Sequence, residues 1–299
     1  MEKTLFFTER AIKMDMQNTV KNPATISGIA LHTGARATVN ILPAPENTGI
    51  VFRRIDMPGR PEVRAVVENV IDVRRATTIA NRQTGAFVVL VEHIMAALHA
   101  SRIDNAVIEM NGPEPPIADG SAGPYFDIIQ EAGIQEQTAP AEYWTATQPI
   151  VFEDGHAILA LLPSDELKIT FTVEYGATPL DTQFFSTPVT TETFSKELSR
   201  ARTFVIYREL EQVIAAGLAK GGSLDNAIIM HNGAIVCKEG MRYKNELVRH
   251  KMMDMVGDLY LIGKRVKANI CSVKSGHPTH VKLVGMMRAQ ELAAKQAKQ

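Results

Sequence analysis

Residues 92–110 read EHIMAALHASRIDNAVIEM and residues 249–273 read RHKMMDMVGDLYLIGKRVKANICSV. Both open on a histidine at the head of an Ala-, Leu- or Met-rich run with the character of a buried helix, and both continue into a strand-like run. Outward from the first stretch, ATISGIALHTG (24–34), ARATVNILPAP (35–45) and GIVFRRIDMPG (49–59) are short strands separated by Gly, Pro and Asn turns. In the second of these, Val39 and Ile41 fall on one face and Thr38, Asn40 and Leu42 on the other. Residues 75–81 and 86–91 give two more strands, and 125–132 a helix closing at Gly133. The second half has the same makeup, with strands at 143–155, 157–162 and 167–175, a short helix near 193–199 and an amphipathic helix at 207–216. Strands at 226–231 and 234–238, a long helix at 245–262, a strand at 266–273 and a last helix at 280–292 complete it. Strands followed by helices in each half predict an α+β fold of two similar domains, each a sheet covered by helices. Such a duplication places a shared site between the halves. The polar stretch QEQTAPAE (135–142) reads as the boundary, giving domains of 1–135 and 143–299. The first twenty residues read as a short helix or an arm, and the tail AAKQAKQ as a frayed end.

The 299 residues include 32 Lys plus Arg against 33 Asp plus Glu, for a formal charge of -1. Without a basic excess there is no general electrostatic drive toward nucleic acid. Hydrophobic residues at 45% and charged residues at 22% describe an ordinary globular chain able to bury a core. Two cysteines, Cys237 and Cys271, make no disulfide framework and fit a reducing compartment. No apolar run approaches the roughly 18 residues of a membrane span, and the N-terminus lacks a secretory h-region. The expectation is a cytoplasmic protein.

His250, Asp254 and Asp258 are spaced i, i+4, i+8 and share a helix face. That spacing serves a solvated face of ion pairs, or a metal site with His250 and Asp254 as two ligands. In the second case Glu92-His93 is the best source of a third. A His, His, Asp set leaves one tetrahedral position open, as catalytic zinc sites do, where the metal lowers the pKa of water toward about 7. Glu92 beside His93 would then serve as general base. His277, in the glycine-opened turn Lys274-Ser275-Gly276-His277, could protonate a leaving group if Asp258 held it charged. His32, in the turn LHTG, could face the same site, whereas His99, His156 and His231 have no evident acidic partners and read as structural or exposed.

The matching segments SGIALHTG (27–34), GIVFRR (49–54), VEHIMAAL (91–98), IDNAVIEMNGPEPPIADGSAGPY (103–125), SRARTF (199–204), GLAKGGSLDNAII (217–229), RYKNELVRHKMMDMVGDLYLIG (242–263) and KSGH (274–277) run in order along nearly the whole chain. In these the sequence closely resembles the UDP-3-O-acyl-N-acetylglucosamine deacetylases, the zinc enzymes of lipid A synthesis. The resemblance implies two α+β domains with helices packed face to face and the site between them. It implies His93, His250 and Asp254 as zinc ligands, Glu92 as the base that activates water, and His277, oriented by Asp258, as the acid or the cation beside the oxyanion. Thr203 would hydrogen-bond the oxyanion. Lys251 and Lys274 would meet the nucleotide diphosphate, Glu174 and Tyr175 the nucleotide, with Phe204 and His32 also on the substrate. An insert of about 205–236 would form the passage for the fatty acyl chain, with Ile206, Leu210, Val213, Ile214 and Leu218 lining or supporting it. Iron(II) is the alternative occupant of the metal site, since the ligand types select loosely. The implied partner is the UDP-sugar glycolipid substrate, met by a monomer without a membrane span and at most peripheral to the inner membrane.

The sequence departs from the family's common pattern at Ala30, where Gly is usual, and at Val205, where a smaller residue is common. Pro278-Thr279-His280 stands where Ala-Leu-Asn is typical. None removes a ligand or catalytic group; Val205 bears on acyl-chain preference, Pro278 on the placing of the last helix, and His280 adds a titratable group. Three rivals fit less well. An HD-type phosphohydrolase wants a His followed by Asp, and this chain has none. A non-catalytic UDP-sugar binder would need no Glu92 or His277. A fusion with a dehydratase would need a further domain, for which the sequence after the second leaves no room.

Overall fold

The computed structural model describes residues 14–176 and 182–297. Two mixed sheets form its frame, and they have the same wiring. In the first, strands Ala24–Ile29, Arg36–Pro43, Ala106–Met110, Ile50–Arg54 and Glu62–Arg64 lie side by side in that order. In the second the order is Ile150–Asp154, Ala157–Leu162, Arg265–Val273, Leu167–Glu174 and Thr182–Pro188, with Tyr143–Thr145 paired off this path. Numbered within its own half, each sheet runs 1-2-5-3-4. The pair 5/3 is parallel and the other three pairs are antiparallel in both.

Alternation sets which face of each strand is buried. Val39 and Ile41 point inward from one strand; Leu167, Ile169, Phe171 and Val173 do so from a strand of the second half. A helix precedes the last strand of each sheet: Glu92–Ala100 in the first half and Glu246–Leu259 in the second. Every residue of the first is buried, and all of the second except Arg249 and Lys251. Helices apolar on nearly all sides belong in an interior, and these two pack directly on each other. Their approach needs Gly257, because a Cβ there would sit 2.0 Å from the Glu92 carbonyl oxygen. The helices Gly123–Ala132 and His277–Gln296 follow the last strands of the two sheets. One apolar core runs from Val39 and Phe52 through Ile94 and Met253 to Phe171 and Leu283.

Each half also carries a three-stranded insert between its fourth strand and its buried helix. In the first it comprises Val70–Asp72, Thr78–Asn81 and Ala86–Val88. In the second, Phe204–Ile206, Ile228–His231 and Ala234–Val236 form the sheet, with the helix Tyr207–Ala215 beside it.

Several sequence expectations are corrected. The stretch expected as the boundary contains a strand not expected there, Ile134–Pro140, paired antiparallel with Met16–Val20. That pairing also replaces the helix or arm expected for the first twenty residues; residues 1–13 lie outside those described. The last helix begins at His277 rather than His280, with Pro278 in its first turn, where a missing N–H costs nothing. It runs to Gln296, past the start of the expected frayed tail, of which residues 298–299 are outside those described. The short helix expected near 193–199 is present, as the turn Thr191–Thr193 running into a π-helical turn, Phe194–Leu198.

Candidate active site

The crossing of the two buried helices brings His93 from one half against His250 and Asp254 from the other. Asp254 Oδ1 lies 3.6 Å from His93 Nε2 and 3.5 Å from His250 Nε2. One ligand atom from each of the three falls within 4.8 Å of those of the others, and all three residues are buried. The reading of His250, Asp254 and Asp258 as a solvated ion-pair face is therefore ruled out.

Two observations show that these donors suit a small divalent cation. Asp254 Oδ1 is buried without a hydrogen-bond partner among the described residues. His250 donates its Nδ1–H to the Ala201 carbonyl at 3.0 Å, which leaves Nε2 as the lone-pair nitrogen facing Oδ1. Burial lowers the His250 pKa to about 3, so the ring is a neutral donor at ordinary pH. Burial opposes ionisation of Asp254, yet the Lys251 ammonium bonded to Oδ2 holds its carboxyl well below the usual range. The second group of potential ligands, Asp258, His277 and His280, is used differently. Both Asp258 oxygens, both His280 nitrogens and His277 Nδ1 are already engaged with one another and with Ser275 and Thr77 in hydrogen bonds, which leaves only His277 Nε2, turned toward Glu92.

Glu92 and His277 face each other over the cluster, with Glu92 Oε1 3.7 Å from His277 Nε2. The other Glu92 oxygen, Oε2, accepts the backbone N–H of Thr77 at 3.0 Å. Burial raises the Glu92 pKa, against the pull of His277 and His93. For His277 burial favours the neutral ring, but Asp258 and Glu92 outweigh it and lift the pKa to about 9. Asp258 Oδ2 accepts His277 Nδ1–H at 2.8 Å, as an orienting carboxylate would. Its own pKa falls to about 2, burial being overcome by His277 and His280.

A cavity of about 300 Å³ opens over these groups. Glu92, His93, His250, Lys251, Asp254 and His277 line it, together with Thr203, Phe204, Glu174 and Tyr175. Thr203 is held by its backbone, donating its N–H to the Gly120 carbonyl at 2.7 Å and accepting that of Ile228 at 2.9 Å, and the buried guanidinium of its neighbour Arg202 is held by Glu246 at 2.8 Å from Nε. Glu246 opens the helix that carries His250, so this ion pair ties Arg202 to the head of that helix. Phe204 meets Tyr175 edge-on at 5.2 Å, and Lys251 Nζ lies 5.7 Å above the Phe204 ring while donating to Asp254 Oδ2 at 2.8 Å. Lys274 stands outside the lining, paired with Glu174 at 2.9 Å.

A second cavity of about 320 Å³ adjoins the first and shares Leu31, Arg75, Thr203, Phe204 and Val205 with it. Of the aliphatics expected to line a passage, Leu210, Val213 and Ile214 do so. Ile206 lines the first cavity instead, and Leu218 neither. His32 lines this apolar cavity and not the first, where His93, His250 and Asp254 lie; Glu114 positions its loop by accepting the backbone N–H groups of His32 and Thr33 at 2.6 and 2.8 Å. Of the histidines expected to be structural or exposed, His99 is buried and donates to the Val256 carbonyl at 2.9 Å, whereas His156 and His231 are exposed.

Sequence reasoning missed Thr77. Its backbone holds Glu92, and its hydroxyl donates to Asp258 Oδ1 at 2.7 Å and lies 3.3 Å from His277 Nδ1. It sits 15 residues before Glu92 in an unremarkable strand-like run, so no spacing signals it.

The profile of the family described as UDP-3-O-acyl N-acetylglycosamine deacetylase (LpxC) matches residues 17–289. Curated relatives named UDP-3-O-acyl-N-acetylglucosamine deacetylase are similar over most of their length. The Anaeromyxobacter dehalogenans protein is 40% identical over 277 residues, 93% of this chain and 89% of the relative. That of Syntrophotalea carbinolica is 41% identical over 271 residues, 91% and 87% of the two chains. That of Saccharophagus degradans is 41% identical over 266 residues, 88% and 87%. With the profile spanning most of its length and relatives aligned nearly end to end, this chain belongs to the LpxC family of UDP-3-O-acyl N-acetylglycosamine deacetylases.

Proposed function

We propose that the protein hydrolyses the N-acetyl group of UDP-3-O-acyl-N-acetylglucosamine, releasing acetate and the free-amine glycolipid precursor of lipid A. The observation that carries this reading is the buried trio of His93, His250 and Asp254, with one oxygen unpartnered, beneath a carboxylate and a carboxylate-bound histidine. His93, His250 and Asp254 would hold a divalent metal, zinc by preference, with iron(II) as the alternative. When bound, such an ion supplies Lewis-acid polarisation of a carbonyl and acidification of water.

The chain's own groups divide the remaining work. Glu92, its basicity raised by burial, takes the proton of the attacking water through Oε1, the oxygen not held by Thr77. Thr203 offers its hydroxyl to the developing oxyanion, its backbone held by Gly120 and Ile228. His277, protonated and oriented through Nδ1 by Asp258, presents Nε2–H to the departing nitrogen. The collapse breaks the C–N bond, and that proton leaves with the amine.

Lys251 lines the cavity and Lys274 stands at its rim, where the nucleotide diphosphate would compete with Glu174. Tyr175 and Phe204 form an aromatic wall for the nucleotide sugar. The acyl chain enters the adjoining apolar cavity past Val205, and His32 meets it there. We take the two units as residues 1–135 and 143–299, with an acyl-passage insert of about 205–236. No helix among the described residues is long and apolar enough to cross a membrane.

The test is acetate release from UDP-3-O-acyl-N-acetylglucosamine of several acyl lengths, before and after chelation, with zinc or iron(II) restored. Activity lost on chelation and regained with metal is the expected result. No release at any acyl length from metal-loaded protein would overturn the reading.

A further inference from the structure

Asp258 receives more donors than the orientation of one imidazole requires. Its Oδ2 accepts from His277 Nδ1 and also from His280 Nδ1, both at 2.8 Å, while Oδ1 accepts from Thr77 Oγ1 at 2.7 Å. His280 is fully buried and stands edge-on to Phe171 with ring centroids 6.0 Å apart. Its other nitrogen, Nε2, is 2.9 Å from Ser275 Oγ, which is in turn bonded to Ser272 Oγ. A ring that donates through Nδ1 and accepts through Nε2 is a neutral tautomer with both nitrogens satisfied. His277 and His280 are three residues apart on the last helix, so both rings project to the side where the Glu246–Leu259 helix presents Asp258.

A carboxylate turns easily about its final bond, whose torsional preference is broad. The His277 donor alone would leave that torsion free to follow the imidazole. Donors on both oxygens, anchored in separate elements, fix the carboxylate independently of His277. We propose that His280 is a positioning residue for the deacetylation. The line Ser272–Ser275–His280 locks the Asp258 carboxylate, which then holds the His277 ring at the cavity. The inference rests on the reading of His277 as the group serving the leaving nitrogen.

The test uses the full chain loaded with zinc, comparing His280→Leu, His280→Asn, Asp258→Asn and the double variant His280→Leu with Asp258→Asn. His280→Leu is expected to lower kcat for acetate release about tenfold, with KM and bound zinc unchanged. His280→Asn, whose amide N–H replaces the Nδ1 donor, should recover most of the loss. In the Asp258→Asn background, His280→Leu should add nothing. An unchanged kcat, a loss that also takes zinc, or the same loss without the Asp258 carboxylate would overturn the proposal. If His280→Leu does not fold, Ser275→Ala keeps the ring and removes its outer partner; kcat should fall with KM constant, and an unchanged kcat would overturn it. Low-field proton NMR gives a readout independent of turnover. His280→Leu should remove one ring N–H signal and shift that of His277. An unmoved His277 signal sinks the proposal, whereas a shifted signal in a protein that releases no acetate sinks only the proposed function.

Discussion

The two halves share one scaffold and set unlike side chains on it. Both wire their sheets 1-2-5-3-4 and place a buried helix before the last strand. From that shared position the first half presents Glu92 and His93, the second His250, Asp254 and Asp258. The helices after the last strands differ more: Gly123–Ala132 buries Tyr125, Phe126 and Ile129, while His277–Gln296 opens with His277 and His280. The inserts have diverged furthest. The first-half insert places Thr77 just before its second strand, under Glu92 and Asp258, and the second-half insert builds the apolar cavity. A duplicated fold thus keeps its sheets and its central helix crossing, and differs in the side chains at the crossing and in the segments leading to it.

If the first half's share is as large as its position suggests, Glu92→Ala should lower kcat roughly 10³-fold while retaining metal, read by acetate release and metal analysis. Near wild-type turnover would move the base to another residue. The crossing itself is tested by Gly257→Ala. With its Cβ 2.0 Å from the Glu92 carbonyl, the helices must separate, lowering stability by about 1–3 kcal/mol in denaturant titration. The same variant should lose activity by displacing Glu92 from Asp254; full activity with full stability would show that the crossing tolerates a wider gap. The smallest effect tests the first-half insert. Thr77→Val keeps the backbone bond to Glu92 but removes the hydroxyl from Asp258, and kcat should fall about tenfold with KM unchanged. No change would confine that insert to a scaffolding role.

The duplication was legible because its strands alternate and its helices do not. Val39 and Ile41 announce an inward face, and the unbroken run of Ile94 to Leu98 announces a helix with no outside. The i, i+4, i+8 spacing of His250, Asp254 and Asp258 put three groups on one face, Glu92-His93 at the head of the other buried helix offered a third ligand and a base, and the resemblance implied the same set. What spacing did not carry was the identity of donors and acceptors that act across the fold. Thr77 reaches Asp258 over 181 positions and the Ala201 carbonyl reaches His250 over 49; neither contact leaves a local pattern. The strand Ile134–Pro140 was misread for a related reason: as a partner of Met16–Val20 in a two-stranded sheet, it is largely exposed and shows no apolar alternation. Lys274 and His32 are placed on the substrate by the resemblance, and their surroundings, a Glu174 ion pair and an apolar cavity, depend on tertiary placement.

The central claim is that one metal centre draws ligands from both halves. Metal content per chain, measured after dialysis for His93→Ala and His250→Ala beside the wild type, tests it most directly. The account predicts about one ion bound by the wild type and a large loss in both variants, because each removes one of only three protein donors. Full occupancy in His93→Ala would contradict it, placing the metal wholly within the second half.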